Sequence, residues 1–115
     1  MELKLVVAIV RPHALEAVEK RLQEMGLRGL TVIRAKGYGA YANFFSREWL
    51  VDQVKIEIYA EQGRAESIAT AILDAAHTGS PGDGIVAILP VDKVFSVRSR
   101  AEEIPNVLQP SSNQE

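Results

Sequence analysis

A chain of 115 residues, 47% of them hydrophobic, has the size of one domain and enough apolar side chains to fill a core without covalent staples. It contains no cysteine, which excludes disulfides and thiolate metal sites and agrees with a cytoplasmic location. With 13 basic against 15 acidic residues the net charge is -2, which argues against a broad nucleic-acid surface.

The opening run MELKLVVAIVRP breaks at Arg11-Pro12, too early to span a bilayer and with no small-residue cleavage site after it. Residues 3–11 carry Val, Leu and Ile on both alternating faces and read as a central strand. From Ala14 to Met25, Leu15, Val18, Leu22 and Met25 recur at helical spacing while Glu16, Glu19, Lys20 and Gln23 face away, and Gly26 is the expected stop. Residues 30–36 read as a second strand, broken at Gly37-Tyr38-Gly39.

Residues 40–49 hold Tyr41, Phe44, Phe45 and Trp49 without a clear period and read as an excursion loop. A third strand follows, in which Val54, Ile56 and Ile58 alternate with Lys55, Glu57 and Tyr59. Residues 64–77 give a second helix with Ile68, Ile72 and Ala75 or Ala76 on one face, ended by Thr78-Gly79. The turn Ser80-Pro81-Gly82-Asp83-Gly84 leads to a fourth apolar strand over 85–90 and a short returning strand over 93–99. A tail over 104–115 is expected to be flexible, so the domain is expected to cover 1–103.

The order strand, helix, strand, strand, helix, strand predicts an α+β, ferredoxin-like βαββαβ plan with an additional C-terminal strand, both helices covering one sheet face. The other face, with Leu5, Val7 and Ile9, is apolar too and predicts self-association.

Several motifs in this order resemble the P-II nitrogen-regulatory proteins and their P-II-like relatives: Arg11-Pro12, Gly29-Leu30-Thr31-Val32, Lys36-Gly37-Tyr38-Gly39, Val54-Lys55-Ile56-Glu57-Ile58, the stretch Thr78 to Gly84, and Val97-Arg98-Ser99. The resemblance covers about residues 1–103 and implies a non-enzymatic, homotrimeric signalling protein that binds an adenine nucleotide between subunits. It implies nucleotide contacts from Thr31, Gly37, Tyr38, Gly39, Gly82, Asp83, Gly84 and Arg98, the last reaching phosphate from the neighbouring chain, where a guanidinium fork makes charge-assisted bonds. Glycines in the turn let backbone N–H groups converge on a phosphate; a lone Gly-Asp-Gly would otherwise read as an ordinary helix-to-strand turn, and Arg98 as a solvated strand residue.

The chain also departs from the family pattern. Ile85 stands where a phosphate-binding lysine is usual, and Ser96 where a second arginine is usual. Hydrogen bonds to charged groups contribute about 1.5–3 kcal/mol each, so the resemblance with these losses favours ADP or AMP over ATP. The loop is short; Tyr41 and Gln53 stand where the family places a glutamine and a lysine for 2-oxoglutarate, so classical nitrogen sensing and nucleotidylylation are not expected. A small anion such as bicarbonate is the expected second effector, at Gly39, Ala40 and Tyr41. Phe44, Phe45, Arg47 and Trp49 are the expected partner-docking residues, with packing of some aromatics on the protein body as the plainer reading. Short-loop relatives include carboxysome-associated, bicarbonate-responsive proteins and others linked to metal or small-molecule transport. The target is thus expected to be a transporter or a carboxysome-associated protein. A ligand-free structural trimer is the alternative.

Elsewhere the sequence offers little chemistry. His13 and His77 have no second histidine or cysteine at ligand spacing, so neither a metal nor a cofactor is expected, and His77 reads as favourable to a helix C-terminus. Glu102-Glu103 and the pair Glu57 and Glu61 read as solvated acids, and no nucleophile system is evident.

Overall fold

The computed structural model describes residues 2–37 and 51–103. Strand β1 (Leu3–Val10) passes through a 3-10 turn over Pro12–Ala14 into helix α1 (Leu15–Glu24). Strand β2 (Thr31–Gly37), strand β3 (Val51–Glu61), helix α2 (Gln62–Ala76) and strand β4 (Gly84–Val91) follow. Pro12 begins the 3-10 turn, where its missing N–H costs nothing and its fixed φ suits a helical start.

The end of α1 is closed by a Schellman arrangement. Leu27 N–H donates to Leu22 O (3.1 Å) and Gly26 N–H to Gln23 O (2.9 Å), with Gly26 at φ 85° as its position after the helix predicts. Leu22 and Leu27 are both buried in the core, which supplies the hydrophobic contact of that motif. Helix α2 starts directly from β3 without a linker, and Arg64 Nη2 donates to Met25 O at 3.0 Å, tying α2 to the end of α1.

The four long strands form one antiparallel sheet in the order β2-β3-β1-β4, which is the ferredoxin-like plan. Period-two alternation sorts the side chains. Val6, Ala8 and Val10 of β1 and Val54, Ile56, Ile58 and Ala60 of β3 are buried beneath Val18 and Leu22 of α1 and Ala65, Ile68 and Ile72 of α2. Each fully buried Leu, Ile or Val contributes about 1.5–3 kcal/mol through removal from water, so this single core holds the helices to the sheet.

The opposite sheet face carries three cross-strand rows. Ile33, Lys55, Ile9 and Ile85 stand side by side, then Thr31, Glu57, Val7 and Ala87, then Tyr59, Leu5 and Leu89. Lys55 Nζ and Glu57 Oε2 are 3.4 Å apart on this face. Ile85 is 62% exposed and Leu89 42%, so no element of the described chain covers the face.

The returning strand expected over 93–99 is shorter than that. It splits into a hairpin of β5 (Phe95–Ser96) and β6 (Ala101–Glu102), a separate two-stranded sheet. The chain reverses because Arg100 takes the left-handed conformation, at φ 60°, and its N–H donates to Ser96 O at 2.8 Å. Ser99 N–H donates to Ser96 Oγ (3.3 Å) and Ser99 Oγ to Glu103 Oε1 (2.8 Å), fastening the hairpin. Val97, Arg98 and Ser99 therefore lie in a turn rather than a strand, and Val97 is 94% exposed. Among the described residues no helix is long and apolar enough to cross a membrane.

Candidate functional site

The connection from α2 to β4 is built by its own polar groups. His77 leaves the helix in an extended conformation, at φ -67° and ψ 130°, which turns the chain back toward the sheet. The Asp83 carboxylate then accepts from Thr78 N–H (2.7 Å), Gly79 N–H (2.9 Å) and the Thr78 hydroxyl. These bonds to the ionised form hold Asp83 well below the usual carboxylate range, at about 2. The Thr78 hydroxyl is the largest cause, followed by the Thr78 N–H, with smaller help from Gly79 N–H and the Arg11 charge against an opposing desolvation. His77 Nδ1 lies 4.0 Å from Asp83 Oδ2.

A second clamp comes from the far end of the sequence. Arg11, just past β1, donates from Nη2 to Pro81 O (2.5 Å) and from Nε to Gly82 O (2.9 Å). Gly82 sits at φ 97°, and a Cβ there would come within 2.8 Å of Arg11 Nη2. Gly84 sits at φ 119°, and a Cβ there would stand 3.0 Å from the Ile9 carbonyl carbon and closer still to its oxygen. Gly82 is thus required by its backbone conformation, and Gly84 by its conformation and by the close approach of the β1 backbone.

The expected site residues fall in three places. Gly82, Asp83 and Gly84 form the turn at one end of β4, on one sheet edge. Thr31 and Gly37 belong to β2, on the opposite edge, three strand spacings or roughly 14 Å away. Thr31 is paired with Glu57 at the β2 edge of the open face, and Gln53 Oε1 lies against Gly37, close enough that a Cβ there would be 2.5 Å from it. Arg98, in the β5–β6 turn, follows the other end of β4, roughly 23 Å of strand from Gly84. One chain does not bring the three groups together. Tyr38, Gly39, Ala40, Tyr41, Phe44, Phe45, Arg47 and Trp49 lie outside the described residues, as does the tail over 104–115.

Two residues expected to matter through their absence are also placed. Ile85 points to the open sheet face opposite Ile9. Ser96 serves its own hairpin by accepting from Ser99 N–H. The sequence reading did not assign the bonds of Arg11 to the turn, nor the Thr78–Asp83 closure within it.

Two cavities adjoin these elements. The larger, about 710 Å³, is lined by Glu2, Lys4, Asp92, Glu102 and Glu103 among others, and its four carboxylates against one ammonium oppose an anionic ligand. The other, about 420 Å³, opens beside the turn between α2 and the β4 edge and includes Ile72, Leu73, His77, Asp83 and Ile85.

The fold is a four-stranded antiparallel α+β sandwich with a glycine-bearing turn clamped at the edge of its sheet, and comparison with known proteins places it in a family. The family described as nitrogen regulatory protein P-II matches residues 3–101. The chain is 38% identical over 104 residues to nitrogen regulatory protein P-II of Azospirillum brasilense, covering 84% of this chain and 93% of that protein. It is 41% identical over 104 residues to nitrogen regulatory protein GlnK2 of Haloferax mediterranei, covering 84% and 85%. The crystal structure of Arabidopsis thaliana PII bound to citrate superposes with a TM-score of 0.75 at 34% identity over 89% of each chain. The chain belongs to the P-II family of signalling regulators.

Proposed function

We propose that this chain is a non-enzymatic, cytoplasmic P-II-type regulator that binds an adenine nucleotide between the subunits of a homotrimer and passes that state to a target protein. The observation that carries this reading is the separation of the expected ligand groups. The Gly82–Gly84 turn stands on one sheet edge, Thr31 and Gly37 on the other, and Arg98 past the far end of β4. Residues so divided meet around one ligand only when the edge of one copy adjoins the opposite edge of another. The uncovered rows of Ile85, Ile9, Ile33, Leu5 and Leu89 supply the apolar area for such an assembly.

The nucleotide is ADP or AMP in preference to ATP, because Ile85 and Ser96 offer no cation to a longer phosphate chain. A compact anion, bicarbonate, is the second effector. The Gln53 amide beside Gly37 supplies no charge for a dicarboxylate. The target is a transporter or a carboxysome-associated protein.

Calorimetric titration of the intact protein with ATP, ADP and AMP, each with and without bicarbonate and 2-oxoglutarate, tests this reading. ADP or AMP should bind at least as tightly as ATP, and bicarbonate should shift ADP affinity while 2-oxoglutarate does not. No heat with any of the three nucleotides would overturn it.

A further inference from the structure

Arg11 makes two bonds that no nucleotide contact accounts for. Its guanidinium is engaged with two successive carbonyls, Pro81 O at 2.5 Å and Gly82 O at 2.9 Å, across sequence separations of 70 and 71 residues. The peptide bonds here are trans, so in the Pro81–Gly82 unit the carbonyl and the N–H point opposite ways. Holding the Pro81 carbonyl toward Arg11 turns the Gly82 N–H away from the protein body. Among the described residues that N–H has no acceptor, whereas the N–H groups of Thr78 and Gly79 are taken by Asp83, that of Ser80 by Thr78 Oγ1, and that of Asp83 by Ser80 O.

We infer that Arg11 is a positioning residue for phosphate, one that sorts the turn so that its carbonyls face inward and the Gly82 N–H faces out as a donor for the nucleotide's first phosphate group. This rests on the proposed nucleotide site. It adds a residue that acts through the turn without touching the ligand. Unclamped, the same peptide can flip and present a carbonyl oxygen, which repels an anion. The guanidinium suits the task because its planar fork can bond two neighbouring oxygens at once. A glycine at position 82 is what allows the fork to approach, since a methyl group there would lie 2.8 Å from Nη2.

The test compares AMP with adenosine, which differ only by the phosphate, on the intact wild-type chain and on R11Q and R11K, by calorimetry. Amide exchange of Asp83, whose N–H donates to Ser80 O, is followed by NMR on the same samples. The expected result is that R11Q binds AMP about tenfold more weakly, the loss of one charge-assisted contact, with adenosine affinity within about twofold of wild type. R11K should recover part of the loss, because an ammonium can reach the carbonyls but not as a flat fork. Equal weakening of AMP and adenosine, or none, would overturn the inference by reducing Arg11 to a general structural role or to no role. If the wild-type chain binds neither compound, the nucleotide reading itself fails; the exchange data then judge the clamp, which stands if R11Q speeds exchange at Asp83, whose N–H is bonded to Ser80 O within the turn, and falls if it does not. Should R11Q not fold, R11K carries the same comparison.

Discussion

Thr78 donates twice to Asp83, from its backbone N–H at 2.7 Å and from its hydroxyl, so a single residue closes the span that leads from α2 into β4. Those bonds depend on the ionised carboxylate. Because the folded value is depressed to about 2 from an ordinary 3.8, the contribution of Asp83 to turn order is fully present above 3.8 and is lost as pH falls through about 2. NMR titration of the Asp83 carboxyl carbon should show this low midpoint. In Thr78→Val, which removes the leading cause, it should rise toward 3.8, and an unchanged midpoint would contradict the assigned partner.

Gly84 and Gly63 should respond to alanine with opposite signs. At Gly84 the φ of 119° and the Ile9 carbonyl both oppose a methyl group, so Gly84→Ala should destabilise the fold by about 2 kcal/mol or more. Gly63 lies in the first turn of α2 with open space around it, so Gly63→Ala should be neutral or stabilising by up to about 0.5 kcal/mol. Urea denaturation of the two variants against wild type measures both.

Leu89 sits opposite Leu5 on the uncovered face and is only partly shielded within one chain. Leu89→Asp should therefore leave the subunit folded but dissociate the proposed trimer, since a carboxylate would be buried without a partner at the contact. Light scattering at micromolar concentration, with circular dichroism as a check on folding, distinguishes this from no effect. A wild-type chain that is itself monomeric there would remove the shared cleft.

Ile85 occupies a position from which a lysine could reach beyond the turn, at the start of β4 and 62% exposed. Ile85→Lys should raise ATP affinity relative to AMP by about tenfold or more, the worth of one charge-assisted contact. The ratio of the two dissociation constants is the measurement, and a ratio equal to wild type would show that missing charge does not set the preference.

Much of this architecture was legible in the sequence because local pattern and final burial agree. The alternation of Val54, Ile56 and Ile58 with Lys55, Glu57 and Tyr59 is the alternation of covered and open sheet faces, and Gly26 does end the first helix region. The C-terminal strand failed as a single element for a physical reason. Arg100 adopts a left-handed conformation that no propensity predicts for arginine, held by Ser96 and Ser99 hydrogen bonds that alternation does not encode. The Arg11 clamp was illegible in another way. Its partners are backbone carbonyls some 70 residues on, and no side-chain pattern marks which carbonyl a distant arginine will find.

The placement of β1 between β3 and β4 bears on how the chain is made. Strand β1 is flanked only by strands that come much later in the chain, at Val51–Glu61 and Gly84–Val91. At synthesis rates of about 5–20 residues per second, the apolar run from Leu3 to Val10 waits on the order of several seconds before its first neighbour in the sheet has even been made. During that interval α1, at ten residues marginal as an isolated helix, gains its stability by packing on β1, because its apolar residues Val18 and Leu22 belong to the same buried cluster as Val6, Ala8 and Val10. Helix and strand thus shield one another's apolar faces while the strand's neighbours in the sheet are still missing.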